Sequence, residues 1–313
     1  MLSPSDANLS RHPAHRSGVR PPALRPINHP QSLKHVRYPC GRMTVCIAAL
    51  ADVGKSLVLA CDSMLSGESF SGDHTALKMY PLTAPFQWWA MVAGDVSHAV
   101  PIIESAVLGL FGLSDSTNTR ETVERAVVSA YQGVRRQLAE DLVLTPIGAN
   151  WGSVQGESVF AAKLAEELKQ VSVGCELLVA GFDWSGDGYI FSVTHPGIVR
   201  NHNVCGYEAI GTGAYNAMAT LMYHSVNQEM KLAPVLYHVC ESKFMAESAD
   251  GVGRHTHVKI ATGAGKMDAY ELSDEFIDGI RKAWEDEGRP RVPRNLIGHL
   301  ERELKRHPAG PLV

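Results

Sequence analysis

Thr44 follows Met43 directly and opens a strongly apolar run, Thr44-Val-Cys-Ile-Ala-Ala-Leu50, with an acid downstream at Asp62 and a lysine at Lys78. A threonine hydroxyl is a poor nucleophile near neutral pH, so a base must take its proton. A free α-amine, which titrates at about 7.7–8.0, suits that task when the threonine is the first residue of its chain. A nearby ammonium favours the neutral, basic form of that amine, and a carboxylate holds the ammonium in place. Taken singly, an Asp at a strand end is commonly a turn residue and a lone Lys is commonly solvated. The chemistry therefore rests on Thr44 becoming a terminus and on elements that gather the other two side chains around it.

The stretch before Thr44, residues 1–43, carries prolines at 4, 13, 21, 22, 26, 30 and 39, many Arg and His, and few aliphatic residues. Such a composition buries too little surface to offset its ordering entropy, and we expect it to be disordered. It lacks the apolar core of a secretory signal. Three origins fit: a start codon placed too early with Met43 the true initiator, a pro-segment removed by cleavage, or a retained tail. Trimming of a methionine that precedes a small residue favours the first.

The remainder reads as one domain over 44–266 and a charged, peripheral helical tail over 267–313. Hydrophobic residues at 45% and a formal charge of −4 describe an ordinary soluble globular protein, and the cysteine usage below points to the cytoplasm. The sequence shows no basic face for nucleic acid and no run near the ~20 apolar residues of a membrane span. The six cysteines, at 40, 46, 61, 175, 205 and 240, form no CxxC pair, which suits buried free thiols in a reducing compartment.

Apolar runs at 44–51 and 56–61 flank Asp52-Val-Gly54 and predict a hairpin. After a polar, Gly-rich stretch over 63–75, a second strand pair is expected at 77–80 and 87–93. Then the period changes: apolar residues recur at three and four over 99–111 and again over 120–142, predicting two amphipathic helices. Strands return at 174–182, 188–194 and 207–210, helices at 213–225 and 232–248, and a strand at 256–261. This order predicts an α+β protein with two antiparallel sheets between helical layers.

Five stretches of the chain, in order, resemble the proteasome β-subunit family and its bacterial relatives, the peptidase subunit of the HslUV ring protease and the Anbu-type proteins. They are Met43-Thr-Val-Cys-Ile-Ala48, Leu57-Val-Leu-Ala-Cys-Asp-Ser63, Ala76-Leu-Lys-Met-Tyr-Pro-Leu82, Val92-Ala-Gly-Asp-Val-Ser-His-Ala99 and Gly206-Tyr-Glu-Ala-Ile-Gly-Thr-Gly-Ala214. Glu176-Leu-Leu-Val-Ala-Gly-Phe-Asp183 resembles a later strand of the family. The 16 residues from Asp62 to Lys78 (78 − 62) match the family's Asp-to-Lys spacing.

The resemblance implies the four-layer αββα sandwich of N-terminal-nucleophile hydrolases and a threonine endopeptidase that cleaves polypeptides. It assigns Thr44 as nucleophile and base, Asp62 and Lys78 as the pair that tunes it, and the Gly94 N–H as oxyanion donor. Thr212 falls where the family has a serine near the amine, and Asp250 matches its second acid. Three residues past Asp250 the chain has Gly253 in place of a further serine. No metal or cofactor is implied. A homo-oligomeric ring is, and an ATPase unfoldase stays open as a further partner. His255 and His257 alternate on a strand but lack an evident third ligand. Two other functions stay open: a non-catalytic scaffold subunit of the same fold, and an amidase acting on a small amide.

Overall fold

The computed structural model describes residues 44–289 and Arg302, apart from 68–69, 74–77, 84–86, 113–116, 156–157 and 264–267. The leader over 1–43 and most of the tail past 289 lie outside the described residues. In chain order the elements are β1 (Cys46–Ala51), β2 (Ser56–Asp62), β3 (Met64–Gly67), β4 (Phe70–Asp73), β5 (Met79–Pro81) and β6 (Trp88–Gly94). There follow α1 (Val96–Leu110), α2 (Arg120–Ala139), α3 (Val159–Gln170), β7 (Cys175–Phe182), β8 (Gly188–Thr194), β9 (Ile198–Asn201) and β10 (Tyr207–Ile210). The last are α4 (Ala214–Tyr223), α5 (Leu232–Ala246), β11 (Thr256–Thr262), β12 (Asp268–Glu271) and α6 (Asp274–Ala283).

The fold is mixed α/β. One five-stranded sheet runs β10-β1-β2-β11-β12 and a second runs β5-β6-β7-β8-β9, with every neighbouring pair antiparallel. Strands β3 and β4 pair only with each other among the described residues.

The central strands read as unbroken apolar runs because both of their faces are covered. Val45 just before β1, and Ile47, Ala49, Ala51, Val58 and Ala60 along β1 and β2, join one core cluster with α4, α5 and α6. The alternate residues Cys46, Ala48, Leu50, Leu57, Leu59 and Cys61 pack in another cluster with Trp89, Met91, Leu178, Ala180 and Phe182 of the second sheet. The opposite face of that second sheet, through Trp88, Ala90, Val92, Leu177 and Val179, meets α1 and α2. Within each strand, burial thus switches partner at every residue, the two-residue period of extended chain.

The tail segment from 268 adds β12 to the edge of the first sheet, and α6 places Ile277 in the α4–α5 core. Helix α3 and strand β9 are additions to the elements expected from the sequence. Helix α3 buries Ala161, Leu164 and Leu168, whereas β9 is an edge strand with largely exposed residues. No described helix is long and apolar enough to cross a membrane.

Four thiols, Cys46, Cys61, Cys175 and Cys240, are free and buried, while Cys205 is free and exposed. Burial pushes the Cys61, Cys175 and Cys240 thiols up to about 12, and Cys46 is likewise raised well above its ordinary value, again chiefly by burial. A thiol in that range supplies almost no thiolate near neutrality. Native protein treated with iodoacetamide is therefore expected to label Cys205 and spare the four others until it is denatured, as read by peptide mass mapping. Labelling of Cys46 at the rate of Cys205 would contradict the closed core.

Candidate functional site

The hairpin register sets the site. Cys46 lies opposite Cys61, and Asp62 N donates to Val45 O at 3.3 Å, so Thr44 sits at the open end of the hairpin beside the last residue of β2. Lys78 comes from the other sheet, immediately before β5, where its carbonyl accepts from Val92 N at 3.0 Å. The site therefore spans the seam between the two sheets.

Thr44, Asp62 and Lys78 meet there. The Thr44 hydroxyl donates to Asp62 Oδ1 in a short hydrogen bond, Lys78 Nζ donates to Thr44 Oγ1 at 2.5 Å, and Lys78 Nζ reaches Asp62 Oδ1 at 3.0 Å. All three are buried, at 2%, 0% and 4% exposure. Asp62 organises the group. Its Oδ1 also accepts from Val45 N at 2.9 Å, and its Oδ2 accepts from Met64 N at 3.2 Å and Gly253 N at 3.1 Å. Five donors on one carboxylate fix its orientation against two chain segments as well as against its ion-pair partner.

The arrangement leaves the hydroxyl oxygen between a carboxylate and an ammonium in a site screened from water. There an ammonium stabilises charge that develops on the oxygen far better than it would in solvent. Cys46, two residues away, supplies almost no thiolate: burial raises its thiol, which donates to Val92 O at 3.3 Å.

Glycines make room on both sides. Gly211, at φ +94°, lies so close to Thr44 that a Cβ would stand 2.4 Å from Thr44 O, and Gly213 N donates to that same oxygen at 3.2 Å. Gly94 ends β6 at φ +102°, where a Cβ would stand 2.3 Å from Gly174 O. Strand alternation that sends Val92 N to Lys78 O puts the Gly94 N–H on the same edge, past the first residue of β5. Gly94→Ala is expected to cost about 1–3 kcal/mol from backbone strain alone, with the clash at Gly174 added to it, measured by chemical denaturation. A stability within experimental error of wild type would show that the turn into α1 tolerates a side chain.

Two residues that the resemblance assigns stand apart from this group. Thr212 is exposed, and its hydroxyl bonds to none of Thr44, Asp62 or Lys78; the positive φ at Gly211 turns the main chain so that Gly213 N, rather than the Thr212 side chain, meets Thr44. Asp250 is exposed in the turn after α5, where Val252 N bonds Ala249 O at 3.3 Å and Val252 is the residue buried. Gly253 nevertheless joins the site through its backbone, in the bond to Asp62.

What holds Gly253 in place is not marked by any motif of the sequence. Lys243 on α5 is fully buried and donates to Glu247 Oε1 at 2.6 Å, Gly253 O at 2.6 Å and Arg254 O at 3.0 Å, which uses all three of its protons. Its ordinary value is lowered by burial, against which Glu247 works. Arg281 on α6 grips Glu247 with two bonds, at 2.8 and 2.7 Å, and adds one to Arg254 O at 2.8 Å. Nothing in the sequence marks Lys243 and Glu247 as other than a solvated i,i+4 pair.

His255 and His257 do not converge on one ligand set. His257 Nδ1 meets Glu271 Oε1 at 3.0 Å, while His255 Nε2 lies 3.6 Å from Asp274 Oδ2. No protein-family model and no curated protein matches the chain.

Proposed function

We propose that this chain is a threonine endopeptidase of the N-terminal-nucleophile type, acting on polypeptides with Thr44 as the first residue of the mature chain. The observation that carries the reading is the buried Thr44 hydroxyl held between Asp62 and Lys78, at the end of a hairpin. Helices on the outer face of each sheet, with a core shared between the sheets, support a four-layer αββα arrangement. Exposed Leu108 and Phe111 at the end of α1 suit a homo-oligomeric ring.

In the proposed reaction the Thr44 α-amine takes the hydroxyl proton as Oγ1 bonds to the carbonyl carbon of the scissile peptide. The carbonyl π electrons move to oxygen, and the Gly94 N–H binds the resulting oxyanion. Lys78 stabilises Oγ1 while the proton leaves, and Asp62 holds Lys78 and the Val45 amide in register. Collapse breaks the C–N bond, the amine returns its proton to the leaving amine, and an ester remains on Thr44. Water then attacks that ester, again with the α-amine as base, releasing the acid and restoring the hydroxyl.

Intact mass and N-terminal sequencing of the purified protein, run beside hydrolysis of a panel of fluorogenic peptides, test this directly. The expected result is a chain beginning at Thr44 that cleaves peptides. Hydrolysis by a chain that keeps residues 1–43, or no hydrolysis by one that begins at Thr44, overturns it. The second reading, a non-catalytic scaffold, draws on the exposed positions of Thr212 and Asp250, and a chain beginning at Thr44 yet inert toward every peptide would favour it.

A further inference from the structure

Away from that site, the α4–α5 pair carries a second cluster of chemically active side chains. His224 caps the C-terminus of α4, and His238 and Glu241 stand one turn apart on α5. His224 Nε2 lies 2.9 Å and His238 Nδ1 3.2 Å from the same oxygen, Glu241 Oε2. The two imidazoles stack with centroids 4.1 Å apart and planes inclined by 22°. One ligand atom from each residue falls within 4.8 Å of the other two, and this is the one such group of three among the described residues.

The carboxylate poses the question. Glu241 is 5% exposed, yet its ion-pair partners among the described residues are these two histidines, with no lysine or arginine. A buried carboxylate is costly unless charge or hydrogen bonds compensate it, and here the groups that face it are the ring nitrogens of two stacked imidazoles. A divalent cation bound by all three would supply the charge and accept the lone pair of each ring nitrogen.

We propose that His224, His238 and Glu241 form a site for a divalent transition-metal ion of the zinc type. Two imidazoles and a carboxylate are ligands that suit zinc, and three protein ligands leave a fourth position for water. Side-chain exposures of 26% for His224 and 17% for His238 give that water a route in. With metal–ligand distances of about 2.0–2.2 Å, tetrahedral ligand atoms stand about 3.4 Å apart. The present spacings to Oε2 are shorter by half an ångström or less, on the order of what a small side-chain rotation provides. The ion would tie the end of α4 to the middle of α5, two helices that share the core behind β1 and β2. This role does not depend on the peptidase reading.

Full-length protein, stripped by a chelator, is titrated with zinc chloride in a calorimeter and separately with cobalt(II) under a visible-light spectrometer. The expected result is one zinc per chain, visible cobalt absorption bands that zinc abolishes, and a thermal midpoint that rises with zinc. Glu241→Gln and His224→Ala each weaken binding by at least about tenfold, a loss that even outer-shell changes bring about, and they remove the cobalt bands. Circular dichroism checks that they fold, and His224→Ala, at the more exposed ligand, is the variant better placed to do so. His257→Ala and Thr44→Ala keep wild-type zinc affinity. Absence of saturable zinc binding, or binding unchanged in folded His224→Ala, would leave the three as a plain hydrogen-bonded cluster and overturn the proposal.

Discussion

Thr44→Ala is expected to abolish peptide hydrolysis, with turnover down by a thousandfold or more, on the order of losses seen when a covalent nucleophile is removed. The fold should survive. The variant deletes one hydroxyl from a site whose carboxylate keeps four other donors, at Val45, Met64, Lys78 and Gly253. The stability cost is then that of the two buried hydrogen bonds the hydroxyl makes, one to Asp62 and one from Lys78, at most about 1.5–3 kcal/mol each. Thr44→Ser, which keeps an oxygen in place, is expected to retain measurable turnover. Fluorogenic peptide assays read the first effect and chemical denaturation the second. Unchanged hydrolysis by Thr44→Ala would remove this residue from the reaction.

The second large effect falls on stability as well as rate. Lys78→Met strands Asp62, fully buried and facing no other cation within ion-pair distance among the described residues. Breaking a buried pair from one side costs about 3–5 kcal/mol, a sizeable share of the roughly 5–15 kcal/mol that separates folded from unfolded domains. Turnover should vanish together with the charge beside Oγ1. The double variant Asp62→Asn with Lys78→Met removes both charges, so part of the lost stability is expected to return while activity stays absent. Equal denaturation midpoints for Lys78→Met and wild type would mean that the pair is solvated and not buried.

Sequence and structure agree most closely where burial is two-sided and continuous. The β1–β2 hairpin, the core of β6, β7 and β8, and the helices α1, α2, α4 and α5 each carry a period long enough to declare itself. Helix α3 carries one too, at Ala161, Leu164 and Leu168, but spread over 12 residues beside Gly-containing chain it resembles a loop. Strand β9 lies at a sheet edge, where exposure erases the alternation. In the site, Thr44, Asp62 and Lys78 follow from residue type and strand ends. Gly253 does not, because its contribution is a backbone N–H that any residue except proline could supply. Lys243 is hidden for the opposite reason: a lysine on a helix is expected outside, and only packing against Gly253 and Arg254 turns it inward. The cluster of His224, His238 and Glu241 joins two helices across a connecting loop, a juxtaposition that no linear spacing announces.

The chain of bonds running from Arg281 through Glu247 and Lys243 to Gly253, and from there to the Asp62 carboxylate, gives helix α6 a mechanical purchase on the group that holds the Thr44 hydroxyl. A binder that levered α6 away from the body would slacken that tether at its far end. Because every link is a salt bridge or a hydrogen bond, the tether transmits displacement without any of its members needing to face a bound molecule.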